Sequence, residues 1–120
     1  MPRILVADDH AVMRRHVCAS LETEQGFAVC AEASTGLEAV RLAATALPDI
    51  AILDLSMPEL NGLEAARQIH QRFPGIEIVI LTLHDPMEFM DEVMASGART
   101  CVLKTDLQHL TAAVRRIWQG

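Results

Sequence analysis

Apolar residues follow two rhythms along this chain. Short, nearly unbroken runs lie in residues 3–8, 27–33, 50–54, 76–82 and 100–103, and between them apolar residues recur every three or four positions. The runs predict strands buried on both faces, and the spaced segments predict amphipathic helices. The first helix follows Asp9 and carries Val12, Met13, Val17 and Leu21. The second covers 36–47 and is stopped by Pro48. The third presents Leu63, Ala66, Ile69 and Phe73 until Pro74-Gly75 breaks it. In the fourth, Asp85 is the cap, Pro86 takes the first helical position and Gly97 closes the helix. The fifth follows Thr105-Asp106 with Leu107, Leu110, Val114 and Ile117 on one face. Glu32 among small residues puts the second strand at a sheet edge. Strands alternating with helices imply an α/β, doubly wound parallel sheet of five strands, covered on both faces by right-handed crossovers.

Length and charge narrow the reading. A chain of 120 residues builds one core, so 1–120 is read as a single domain. A formal net charge of −6 leaves no basic face for DNA, so any DNA contact must come from another segment. No apolar run approaches the roughly 18 residues of a membrane span, and no basic-then-apolar leader opens the chain. Cys18, Cys30 and Cys101 lie apart in apolar contexts without metal-ligand spacing. They read as small core residues of a cytoplasmic protein.

Chemistry concentrates at the strand ends. Asp8 and Asp9 follow the first strand, Asp54 ends the third, Thr82 the fourth, and Lys104 follows the fifth. In the order 2-1-3-4-5 the first and third strands are neighbours at the switch point, where ligands bind, and the three carboxylates converge there. Such a cluster repels itself unless a cation sits within it, and an all-oxygen set suits Mg²⁺ better than zinc. Lys104 is the only lysine beside nine arginines. Its compact ammonium suits a phosphoryl oxygen, and at a strand end the head group is expected outside the core. Thr82 adds a hydroxyl. With charge neutralised around it, Asp54 can act as a nucleophile toward phosphorus.

These residues in this order, with Asp54 in Asp-Leu-Ser-Met-Pro-Glu-Leu-Asn-Gly, resemble the receiver domain of two-component response regulators, along the whole chain. The resemblance implies a flavodoxin-like fold. It implies Asp54 as phosphoacceptor, Asp9 as a direct Mg²⁺ ligand, Asp8 as a ligand through water and the Ser56 backbone carbonyl as a further metal contact. Thr82 and Lys104 would bind the phosphoryl group. A sensor histidine kinase is the implied donor and a homodimer the implied phosphorylated state. Thr105, where many members have proline, resembles the NarL/FixJ type, so a helix-turn-helix output domain is expected beyond Gly120. Cys101 stands where an aromatic residue is common, which removes the ring of the usual rotamer switch. The apolar residues Met87, Phe89, Met90, Val93 and Met94 exceed one core-facing stripe and make residues 83–97 the expected moving element.

Other readings fit less well. A phosphohydrolase working through an aspartyl intermediate usually has a second acid two residues after the nucleophile, where this chain has Ser56. A flavin or nucleotide module needs a phosphate-cradling loop after the first strand, where Asp8-Asp9-His10 would repel phosphate. A free-standing receiver acting by protein contact is the alternative to transcriptional output. The expected role is a signalling switch rather than a turnover enzyme. His10 reads as a cap or exposed side chain ahead of a metal ligand, and His84 as a crevice residue or an ordinary loop residue.

Overall fold

Alternation along each strand divides the apolar residues between the two faces of a parallel sheet, in a computed structural model that describes residues 1–120. Its strands are β1 (Arg3–Ala7), β2 (Ala28–Ala33), β3 (Ile50–Asp54), β4 (Glu77–Thr82) and β5 (Thr100–Leu103), in the order β2-β1-β3-β4-β5. The helices are α1 (Ala11–Glu22), α2 (Gly36–Ala46), α3 (Gly62–Arg72), α4 (Met90–Ala95) and α5 (Leu107–Gln119). Leu5, Ala7, Ala51, Leu53, Ile78 and Ile80 join one core with Ala39, Ala43, Ala66, Ile69 and Val93 of α2, α3 and α4. Their neighbours Ile4, Val6, Ile50, Ile52, Val79 and Leu81 join the other with Val17, Leu21, Leu110 and Val114 of α1 and α5. Two buried faces are why these strands are apolar at consecutive positions, each large side chain contributing about 1.5–3 kcal/mol. The expected class and strand order hold, with β2 at an edge.

Local chemistry sets the boundaries. Thr35, Asn61 and Asp106 cap α2, α3 and α5 through their side chains. Leu47 closes α2 in the left-handed region (φ 47°), and the Arg3 guanidinium covers the freed carbonyls of Ala46 and Leu47 at 2.8 and 3.0 Å. In α1, Val12 is 60% exposed and Cys18 takes its place in the core. Val12 is turned about 100° from Met13 around the helix, off the stripe that Val17 and Leu21 define. The expected fourth helix divides into a 3-10 turn at Pro86–Phe89 and the short α4. Asp85 does cap, but onto Met87 N–H of the tight turn, and Phe89 (φ −118°, ψ 8°) leaves helical geometry before α4 starts.

Candidate functional site

Register brings the polar strand ends together. Ala7 lies opposite Leu53, Asp54 opposite Leu81 and Thr82 opposite Leu103. Asp8, Asp54, Thr82 and Lys104 therefore stand side by side at the carboxyl edge. Backbone bonds fix them: Asp8 N–H donates to Ala33 O at 3.0 Å, Leu55 N–H to Leu81 O at 2.8 Å, and Lys104 N–H to Thr82 O at 2.8 Å. Gly62 N–H donates to Leu55 O at 3.0 Å, folding the β3–α3 loop back on the strand end, while buried Met57 anchors that loop in the core.

The side chains form a buried charge cluster beneath an open cavity. Lys104 Nζ lies 2.9 Å from Asp8 Oδ2 and 3.0 Å from Asp54 Oδ2, with Lys104 6% and Asp8 0% exposed. The head group is thus inside the protein rather than beyond the core, because the neighbouring carboxylates draw it down. Asp8 Oδ1 accepts from His10 N–H at 2.9 Å. Asp8 Oδ2, fully buried, has the Lys104 ammonium as its charged neighbour. Asp54 Oδ1 accepts from Ser56 N–H at 3.3 Å, and Thr82 Oγ1 accepts from His84 N–H at 3.0 Å.

Burial raises the Asp54 carboxyl from its ordinary 3.8 to about 6; the Asp8 charge adds to the rise and Lys104 opposes it. Burial pulls the Lys104 ammonium down, but the Asp8 and Asp54 carboxylates together outweigh it and raise the group above its ordinary value. The partial charge balance leaves one lysine among three acids. Carboxylate oxygens of Asp8, Asp9 and Asp54 lie within 4.8 Å of one another. With three carboxylates balanced by one lysine, this oxygen-only set fits a hard divalent cation. Above it lies a cavity of about 340 Å³ lined by Asp9, Asp54, Ser56, Thr82, His84 and Lys104 among others.

Every residue singled out at the strand ends therefore lies in this cluster or its cavity. His10 lines the cavity and caps α1, its Nδ1 accepting from Met13 N–H at 3.3 Å. Met13, Leu55 and Leu83 also line the cavity and were not legible as wall residues, since apolar periodicity marks a core stripe and not the rim of a crevice. Arg14, whose guanidinium donates to Asp8 O at 2.7 Å and pairs with Glu32 at 3.1 Å, is a further missed support. An arginine in a helix carries no sequence signal for such a contact.

Comparison with known proteins agrees with this geometry. The family described as response regulator receiver domain matches residues 4–115. The transcriptional regulatory protein DegU of Brevibacillus brevis is 35% identical over 119 residues, covering 98% of this chain and 50% of DegU. The oxygen regulatory protein NreC of Staphylococcus epidermidis is 40% identical over 120 residues, covering 98% of this chain and 55% of NreC. The solved signal receiver domain of the response regulator NarL from Mycobacterium tuberculosis superposes with a TM-score of 0.92 at 28% identity, covering 99% of this chain and 97% of that one. The chain spans about half the length of the curated relatives it matches. With its fold, its strand-end residues and these likenesses in agreement, the chain belongs to the response regulator receiver domain family, on the NarL/LuxR-type side.

Proposed function

We propose that this chain is a cytoplasmic, phosphorylation-controlled switch that takes a phosphoryl group onto Asp54 from the phosphohistidine of a sensor histidine kinase. The observation that carries the reading is Lys104 held between two buried carboxylates, 2.9 Å from Asp8 and 3.0 Å from Asp54, under an open cavity. A structural ion pair would need one acid, and it would not need a phosphate-sized space above it.

Asp8, Asp9, Asp54 and the Ser56 backbone carbonyl would hold Mg²⁺, which supplies positive charge to the phosphoryl oxygens when bound. Asp54 brings an ionised oxygen to the phosphorus; the new O–P bond forms as the imidazole N–P bond breaks and the histidine nitrogen keeps the electron pair. Lys104 turns its ammonium from the Asp54 oxygen to a phosphoryl oxygen. Thr82 donates its hydroxyl to another. Asp8 and Asp9 remain unesterified and hold negative charge below the new group. The phosphorylated chain forms a homodimer, and the output is transcriptional, through a C-terminal DNA-binding domain; an acidic receiver leaves the basic surface to that domain.

Incubation with acetyl phosphate and Mg²⁺ tests the assignment by intact mass. One base-labile phosphoryl group is expected on the parent chain, and none on Asp54→Asn or in EDTA. Equal labelling of parent and variant, or labelling in EDTA, removes the proposal.

A further inference from the structure

Along the β5 edge of the sheet, beside α5, this acidic chain becomes locally basic. Arg99 directly precedes β5, which Thr100 opens, and His109, Ala113, Arg116 and Ile117 share one stripe of α5. These residues line a cavity of about 260 Å³, and no acid lines it, although the chain carries a net charge of −6. Ala113, nearly fully buried in the core beneath α5, forms part of its wall. The polar groups facing it are largely uncommitted. Arg115 pairs with Glu24 and lies over Phe27, whereas the adjacent Arg116 guanidinium has no ion pair or hydrogen bond within the molecule. The Thr100 hydroxyl and the His109 ring are likewise unpartnered, and Arg99 commits one nitrogen to Glu77 at 3.0 Å, leaving the rest of its fork open.

Two guanidinium groups facing one concavity repel each other unless an anion lies between them, and their planar forks match phosphate oxygens. We infer that this cavity binds a phosphate-bearing small anion. Arg116 and Arg99 hold the oxyanion, Thr100 and His109 donate hydrogen bonds to it, and Ala113 and Ile117 form the apolar floor. The site lies apart from the aspartate cluster and does not rest on phosphoryl transfer to Asp54.

Titration of the isotope-labelled chain with inorganic phosphate, pyrophosphate and adenosine monophosphate, in EDTA at constant ionic strength, reads the site through backbone amide shifts. Saturable shifts are expected at Thr100, His109, Ala113, Arg116 and Ile117, with the Asp54 loop unmoved. Tighter binding of the monophosphate ester than of phosphate assigns a nucleotide-like ligand, and tighter phosphate or pyrophosphate assigns a free oxyanion; either supports the site. Arg116→Gln, an exposed change outside the core, should weaken binding about tenfold, whereas Arg15→Gln on α1, which removes the same charge elsewhere, should leave it near the parent value. Non-saturating shifts spread over all arginines, or equal binding by Arg116→Gln and the parent, would overturn the inference.

Discussion

Asp54 is held where its ionised form is disfavoured, and this has a measurable consequence. Its folded carboxyl titrates near 6 against an ordinary 3.8, so the folded state binds the proton more tightly than the unfolded chain does. Ionisation therefore works against folding: the penalty is absent at pH 3 to 4, grows as pH rises, and is complete above the folded value. Without metal, Asp54→Asn should stabilise the chain by about 1–3 kcal/mol at pH 8 and by little at pH 4. Urea midpoints in EDTA at the two pH values check this, and equal midpoints at pH 8 would contradict it. Lys104→Ala should act in the opposite direction. It strands Asp8 and Asp54 without a cation, at a cost below the ~3–5 kcal/mol of a broken buried pair because Asp54 escapes by taking up a proton. The loss should shrink as pH falls toward 5, and added Mg²⁺ should recover part of it at pH 8; a pH-independent loss would mean that packing, not charge, is at stake. The identity of these residues was legible because each polar group interrupts an apolar run at a strand end. The burial of Lys104 was not, since a lone lysine beside a loop reads as an exposed side chain until two carboxylates are known to lie beneath it.

Among the elements, the start of α3 is the one most tightly joined to the site. A Cβ on Gly62 would meet the Asp54 carbonyl oxygen at 2.2 Å and its carbon at 2.9 Å, both backbone atoms that cannot swing aside. Gly62→Ala should thus separate α3 from the end of β3, costing about 1–3 kcal/mol, and should slow labelling of Asp54 by acetyl phosphate more than that loss explains. Thermal unfolding together with labelling rate separates the two effects; a variant that unfolds earlier yet labels at the parent rate would show that the loop adapts. Asn61-Gly62 was readable as a turn before a helix, but the close approach that requires glycine is a tertiary fact. The same division applies elsewhere. The faces of α3 and α5 followed from 3.6-residue periodicity because their stripes are long. The segment after β4 did not, because Asp85-Pro86 is as compatible with a 3-10 turn as with an α-helix; in the fold Phe89 packs against the core, 6.3 Å between centroids from the His84 ring.

Across the molecule, firmness is unevenly distributed. The three central strands are locked between two cores, whereas α4 has six residues and buries only Val93. Of the apolar residues read as excess, Met87 and Met94 are 72% and 55% exposed, beside Leu83 at 65%, whereas Phe89, Met90 and Val93 pack into the core. Its connection to the site is Thr82, whose hydroxyl oxygen accepts the His84 N–H at 3.0 Å. A hydroxyl drawn to a phosphoryl group on Asp54 would leave that bond, releasing the loop that leads into the 3-10 turn and α4. Cys101 faces the core beneath α4 and, being small, offers no ring to change rotamer, so the response has to be carried by the backbone and helix. Segments with few buried contacts open at low free-energy cost, which makes residues 83–97 the part of the chain most easily shifted. Hydrogen exchange with Mg²⁺, with and without beryllofluoride as a phosphoryl mimic, should therefore change protection across 83–97 while α1 and the central strands keep theirs. Thr82→Ala should bind the mimic yet lose most of that change, since the link between Asp54 and His84 is gone. Protection changes confined to the Asp54 loop, or an undiminished change in Thr82→Ala, would show that the signal leaves by another face.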